Sequence, residues 1–266
     1  MTIDWLYFAF IGCLAGFFGG LLGIGGGSVT LPLLFFALKK FNLPDSDLMH
    51  IVLGTTFASM ILNSATAVYF HSKRGFLPWK IVFTVLPSAI LGPILGSYVA
   101  TLLSGPTLRF SFGIFQVLLA IYFFLPRHKR IEVIDKPLHP LALNIPTFII
   151  GTIGGILGIG GGIIMVPFLE MMGVYLKKAI GAAACTSCVM LTSSALGFLA
   201  WGLNEPPLLP YQVGFIYLPA FMIIALFSIL TSFLGVQVVH RLQVLSLKRI
   251  FSIALAILGI LVIVKD

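Results

Sequence analysis

Charge is what this sequence has least of. Its 266 residues include 8 Asp and Glu and 16 Lys and Arg, 9% in total. Soluble domains carry ~25%, so a water-facing surface is excluded. Acidic residues are the scarcer sign, and no cluster of acids, His or Cys stands ready for acid–base or metal chemistry. This points away from an enzyme and implies no metal and no cofactor. Cysteine is also rare. Cys13, Cys185 and Cys188 all fall in apolar segments, which excludes a disulfide framework and leaves the compartment unread. Cys185 and Cys188 form a CxxC without the second pair a zinc site needs. The N-terminal MTIDWLYFAF has no basic region and reads as a first membrane helix rather than a cleaved signal. The formal net charge is +8. Nucleic acid is excluded as its partner, because the basic residues sit in short loops where they would orient helices.

What is present is apolar. Hydrophobic residues make up 59% of the chain and mean hydropathy is +1.12. No Asp, Glu, Lys or Arg occurs in 48–72, 81–108, 110–126, 137–169, 179–204, 206–240 or 250–264. Most of these runs reach the ~20 residues of a spanning helix. They lack the polar–apolar alternation of barrel strands. The sequence predicts an all-α polytopic protein of the inner cell membrane, with the lipid bilayer as its surroundings.

One stretch occurs twice. Gly16–Leu34, GFFGGLLGIGGGSVTLPLL, returns 135 residues later at Gly151–Leu169 as GTIGGILGIGGGIIMVPFL, with 11 of 19 positions identical. The chain therefore reads as two homologous repeats, 1–125 and 141–266, joined by a basic linker at 126–140. Each repeat holds a glycine-rich break inside an apolar run. Paired interrupted helices are the best sequence pointer to a transporter's substrate site.

Ten helical segments are expected: 3–22, 28–38, 48–70, 81–101, 108–125, 141–157, 163–176, 179–203, 213–239 and 250–264. Ser28 is expected to cap the second, and Pro87 and Pro93 to kink the fourth. If segments 2 and 7 are re-entrant, Lys and Arg divide 8 to 8 between the two sides. If they cross, one side holds Lys73, Arg74, Lys80, Arg127, Lys129, Arg130, Lys136, Lys177, Lys178, Arg241, Lys248 and Arg249. The other holds Lys39, Lys40, Arg109 and Lys265. This division of 12 to 4 follows the positive-inside rule. It selects five crossings per repeat, inverted repeats and outward-facing termini.

The breaks are not nucleotide loops. Neither reads GxGxxG after a strand, and neither is followed by Lys-Ser/Thr. Glycines at GxxxG spacing serve close helix packing. The triple glycine fits a second role, in which unpaired N–H groups at a half-helix start bind an anion. Candidate substrate-binding residues are Gly25, Gly26, Gly27 and Ser28 at the first break, and Gly160, Gly161 and Gly162 at the second. Thr56, Ser59 and Asn63 on segment 3, and Ser187 and Thr192 on segment 8, supply hydroxyls and one amide that donates to oxyanions. The Ser and Thr faces fit helix bridging as well as cargo contact.

The doubled LGIGGG-x-x-x-x-P-x-L motif, half a chain apart in a small basic membrane protein, resembles the sulfite exporter TauE/SafE family over nearly the whole chain. The resemblance implies transport of a small sulfur-containing anion, sulfite or an organosulfonate such as sulfoacetate, by export. The alternatives are a proton-coupled importer and an anion channel. Assembly as a homodimer is compatible with the sequence. If the charge division is correct, Arg130→Cys in a background without the three native cysteines will resist an impermeant thiol reagent added from outside and react only after permeabilisation.

Overall fold

The computed structural model describes residues 2–22, 26–125, 139–239 and 244–264. Ten helices follow in order: α1 (Thr2–Leu22), α2 (Gly27–Lys39), α3 (Asp45–Lys73), α4 (Trp79–Leu102), α5 (Gly105–Phe124), α6 (Pro140–Leu157), α7 (Gly162–Met171), α8 (Leu176–Gly202), α9 (Leu218–Val239) and α10 (Val244–Val264). The one sheet among the described residues is an antiparallel hairpin of β1 (Gln212–Val213) and β2 (Ile216–Tyr217), between α8 and α9. Six helices are long and apolar enough to cross a membrane: α3, α4, α5, α6, α8 and, over Leu218–Gly235, α9. The others add apolar stretches at Trp5–Gly20, Gly27–Lys39, Gly162–Met171 and Phe251–Val264. The chain is an all-α polytopic membrane protein.

The helices pair across the two halves. α1 packs on α9, α6 on α4, α3 on α8 and α5 on α10. Exchanging the halves turns each of these pairs into another or into itself. The α1–α9 seam is a glycine ladder. A methyl on Gly12 would lie 2.7 Å from Ile224 O, one on Gly16 would strike Ser228 O and Thr231 Oγ1, and one on Gly20 would strike Ser232 O. Both partners advance four residues per step, so the two helices run parallel with their backbones in contact. Gly92 and Gly96 of α4 meet Phe148 O and Thr152 O of α6 in the same way. Lipid tails are as apolar as the side chains, so burial gives no drive toward association inside the bilayer, and close packing must supply it.

α3 and α8 cross antiparallel at the centre. Phe57 stacks on Phe198 with ring centroids 5.6 Å apart, and Ser64 Oγ donates to Ala184 O at 3.3 Å. These two helices are the most buried of the six long spans, at 72% and 67% of their apolar windows, as expected for elements shielded from lipid on most sides. α1 and α2 form an antiparallel hairpin. Gly26 at the start of α2 lies against Ala15, while Lys40 Nζ at its end sits 4.9 Å from the Tyr7 ring centre. α6 and α7 do likewise: Gly161 abuts Gly154, and Thr147 Oγ1 donates to Met165 Sδ at 3.9 Å.

Several expected boundaries are corrected. α7 ends at Met171, not at 176, because Gly173 adopts φ +83° and takes the chain out of the helix. The segment expected over 213–239 starts at Leu218. Tyr211 and Gly214 have positive φ (+63° and +55°) and fold Val213 into the hairpin. Pro140 already belongs to α6, while 126–138 of the expected linker lie outside the described residues. Pro87 and Pro93 stand inside an uninterrupted α4.

Gly16→Ala tests the ladder. Overpacking a tight contact costs about 1–3 kcal/mol, so the variant will melt several degrees below wild type in detergent. Gly75→Ala, where no atom lies within 4 Å of the new methyl but φ is +71°, will cost only the backbone strain of about 1–2 kcal/mol.

Candidate functional site

The two glycine breaks meet. A methyl on Gly27, the first residue of α2, would lie 2.8 Å from Gly158 O and 3.8 Å from Ile159 Cα of the second break. Gly158 in turn faces Leu31 of α2 and Leu53 of α3. The start of one short helix therefore lies against the glycine break that precedes the other, at the C-cap of α6, in the protein interior.

Both starts have the same local construction. Gly26 precedes α2 with φ +81°, and Gly161 precedes α7 with φ +69°. Only glycine takes this left-handed geometry freely. Each supplies the first helical acceptor: Val29 and Thr30 donate to Gly26 O (3.1 and 3.0 Å), Ile164 and Met165 to Gly161 O (3.1 and 3.0 Å). The N–H groups of Gly27, Ser28 and Ile163 precede these bonds and have no acceptor within their helices. They sit at the positive ends of two helix dipoles.

Ser28 is not the expected cap. Gly26 occupies that position without a side-chain bond, and Ser28 lies within the first turn, where its buried Oγ has no hydrogen-bond partner among the described residues. Gly25 lies outside the described residues. Gly160 and Gly162 are in the second break: Gly162 N–H donates to Gly160 O at 2.9 Å, and Ser187 Oγ donates to the same carbonyl at 2.7 Å. Ser187 thus holds the break to α8, beside Met190 and Leu191.

On α3, Thr56, Ser59, Met60 and Asn63 are spaced by three and four residues, which places them on one side of the helix. Met60 touches the first break, 3.3 Å from a methyl built on Gly26, and accepts from Thr30 Oγ1 at 3.6 Å. Asn63 is buried in the next turn. Thr56 Oγ1 is buried without a partner among the described residues, while Ser59 Oγ bonds back to Thr55 O at 2.7 Å. Thr192 Oγ1 is likewise spent on its own helix, donating to Cys188 O at 2.8 Å. The structure adds two residues outside the expected set: Ser194 Oγ on α8 and the whole amide of Gln116 on α5 are buried and unpartnered among the described residues. No group of three or more metal-ligating side chains occurs among the described residues.

The match to the sulfite exporter TauE/SafE family extends over residues 8–262, taking in both breaks and all ten helices. The chain belongs to this family. Its relatives include a protein of Haemophilus influenzae named "Probable membrane transporter protein", 35% identical over 256 residues and covering 96% of each chain. A similarly named protein of Methanocaldococcus jannaschii is 29% identical over 252 residues, 94% of this chain and 92% of its own. The "Probable membrane transporter protein YunE" of Bacillus subtilis is 24% identical over 266 residues, 94% of this chain and 93% of its own. No solved structure matches. This TauE/SafE member is thus a multi-pass membrane protein related over 94–96% of its length to proteins named probable membrane transporters.

Ser187→Ala separates the tethering hydroxyl from the idle one. It removes one of the two donors to Gly160 O, a loss of about 0.5–1.5 kcal/mol, and will lower the melting temperature. Thr192→Ala, whose hydroxyl only back-bonds along its own helix, will melt close to wild type.

Proposed function

We propose that the protein is a secondary transporter that exports a small sulfur-containing anion, sulfite or an organosulfonate such as sulfoacetate, across the inner cell membrane. The contact between the two glycine breaks, one from each half and each leading into a short helix, carries this reading. N–H groups without an acceptor in their own helix and the positive ends of the two helix dipoles favour negative charge, and glycine keeps the backbone approachable. Family membership supports a sulfur anion as cargo. Thr56 and Asn63 line the approach from α3.

The architecture proposed is five crossings per half with the repeats inverted. The antiparallel α3–α8 crossing supports it, because repeat-equivalent helices that pack antiparallel imply a two-fold axis in the membrane plane. The hairpin geometry of α1–α2 and α6–α7 supports α2 and α7 as returning strokes. Lys73, Arg74, Lys80, Lys177 and Lys178 cluster at one end of the bundle, where Lys177 Nζ lies 5.4 Å from the Phe76 ring centre, and this end is assigned to the cytoplasm. An anion leaving a negative interior gains ~2.3 kcal/mol per charge per 100 mV, so export requires no coupling ion.

Proteoliposomes tested with sulfite, sulfate, thiosulfate, sulfoacetate and acetate will give saturable efflux of a sulfur anion. Non-saturating flux would mean a channel, and flux that requires a proton gradient would mean an importer's coupling. Asn63→Ala will raise half-saturation about tenfold or more, the cost of a lost donor to a charge being about 1.5–3 kcal/mol. An unchanged half-saturation would make Asn63 structural.

A further inference from the structure

We propose that Gln116 of α5 contacts the transported anion and completes the site between the breaks, an assignment that rests on the anion-site reading above. Gln116 lies in the middle of the buried stripe of α5, formed by Gly105, Leu108, Phe112, Gly113, Gln116, Leu119 and Ala120. It is 1% exposed, and neither Nε2 nor Oε1 has a hydrogen-bond partner among the described residues. An amide left unpaired in an apolar interior is one of the costliest arrangements a side chain can adopt, and leucine of similar size would avoid the cost.

The neighbours on the stripe place it. One turn before Gln116, Phe112 belongs to the cluster that holds Leu31 and Leu34 of α2. One turn after it, Leu119 and Ala120 pack in a second cluster with Val29 of α2, Ile159 of the second break and Ile163 of α7. Gln116 therefore lies one helical turn from a cluster that joins residues of both breaks. Its stem is fixed: Cβ and Cγ fill the notch left by Gly259 of α10, 3.2 and 3.3 Å from where a methyl on that glycine would be. Ser28, the chain neighbour of Val29 in the first turn of α2, also has an unpartnered Oγ among the described residues. The amide and the hydroxyl are thus two unspent donors, one a turn from the cluster that joins both breaks and one at the start of α2. An oxyanion there takes hydrogen bonds from the Gln116 Nε2–H and the Ser28 O–H, in addition to the backbone N–H groups.

The test uses purified full-length protein, wild type and the variants Gln116→Leu and Gln116→Glu. The melting temperature is measured without ligand, and dissociation constants are measured for sulfite and sulfoacetate. The expected result is that Gln116→Leu melts at or above wild type, since an unpaired amide is removed, while its affinity falls at least tenfold. Gln116→Glu folds but binds still more weakly, because a carboxylate repels the anion. Gln116→Leu binding within twofold of a wild type that does bind would overturn this assignment alone. So would misfolding or a lowered melting temperature of Gln116→Leu with unchanged affinity, which would mean the amide is paired within the fold. A wild type that binds neither anion overturns the anion-site reading itself.

Discussion

Inside a bilayer every backbone N–H and C=O must find a partner within the protein. That single constraint governs this molecule. Glycine triplets that interrupt a membrane helix expose backbone groups that lipid cannot satisfy, so each break has to be buried. The chain buries the two breaks against each other: Gly27 meets Gly158, and the surrounding shell comes from α3, α5, α8 and α10. The second copy of the motif thus has a structural use. One break alone would lack the partner that shields it.

The buried polar residues of the helices follow from the same rule but divide into two groups. Some are spent on the fold: Ser59 and Thr192 bond back to their own helices, Ser64 bridges α3 to α8, Ser187 ties the second break, and Thr55 Oγ1 accepts Tyr217 N–H at 2.9 Å to hold the hairpin. Others, Ser28, Thr56, Ser194 and Gln116, have hydrogen-bonding capacity that the described residues leave unused. A fold built under strict satisfaction has reason to keep such groups only where something else completes them.

Much of this was legible in the sequence, for physical reasons. Uncharged runs reveal helices in lipid because one charge there is prohibitive, and the repeated LGIGGG announced both breaks because glycine alone supplies their left-handed turns. The rest was hidden. Ser28 looked like a cap because serine commonly caps, but Gly26, with φ +81°, takes the cap position two residues earlier. The apolar residues Val213, Phe215 and Ile216 read as the beginning of a helix, and only the positive φ of Tyr211 and Gly214 makes them a hairpin that plugs against Gly54 and Gly202. Gln116 was invisible because one amide in an apolar helix has no pattern around it. Its meaning depends on contacts from α2, α7 and α10, which no local window contains.

The glycine ladder between α1 and α9 has a consequence for how the protein is made. Gly12 meets Ile224, more than two hundred residues later in the chain. At ~5–20 residues per second of synthesis, α1 waits on the order of 10–40 seconds before its partner exists. During that interval its bare glycine stripe faces lipid or the insertion machinery. The second half has no such delay, since α4 is already in place when α6 arrives. The equivalent seams of the two halves therefore close at different times, α6 on an α4 already present and α1 only once α9 has followed.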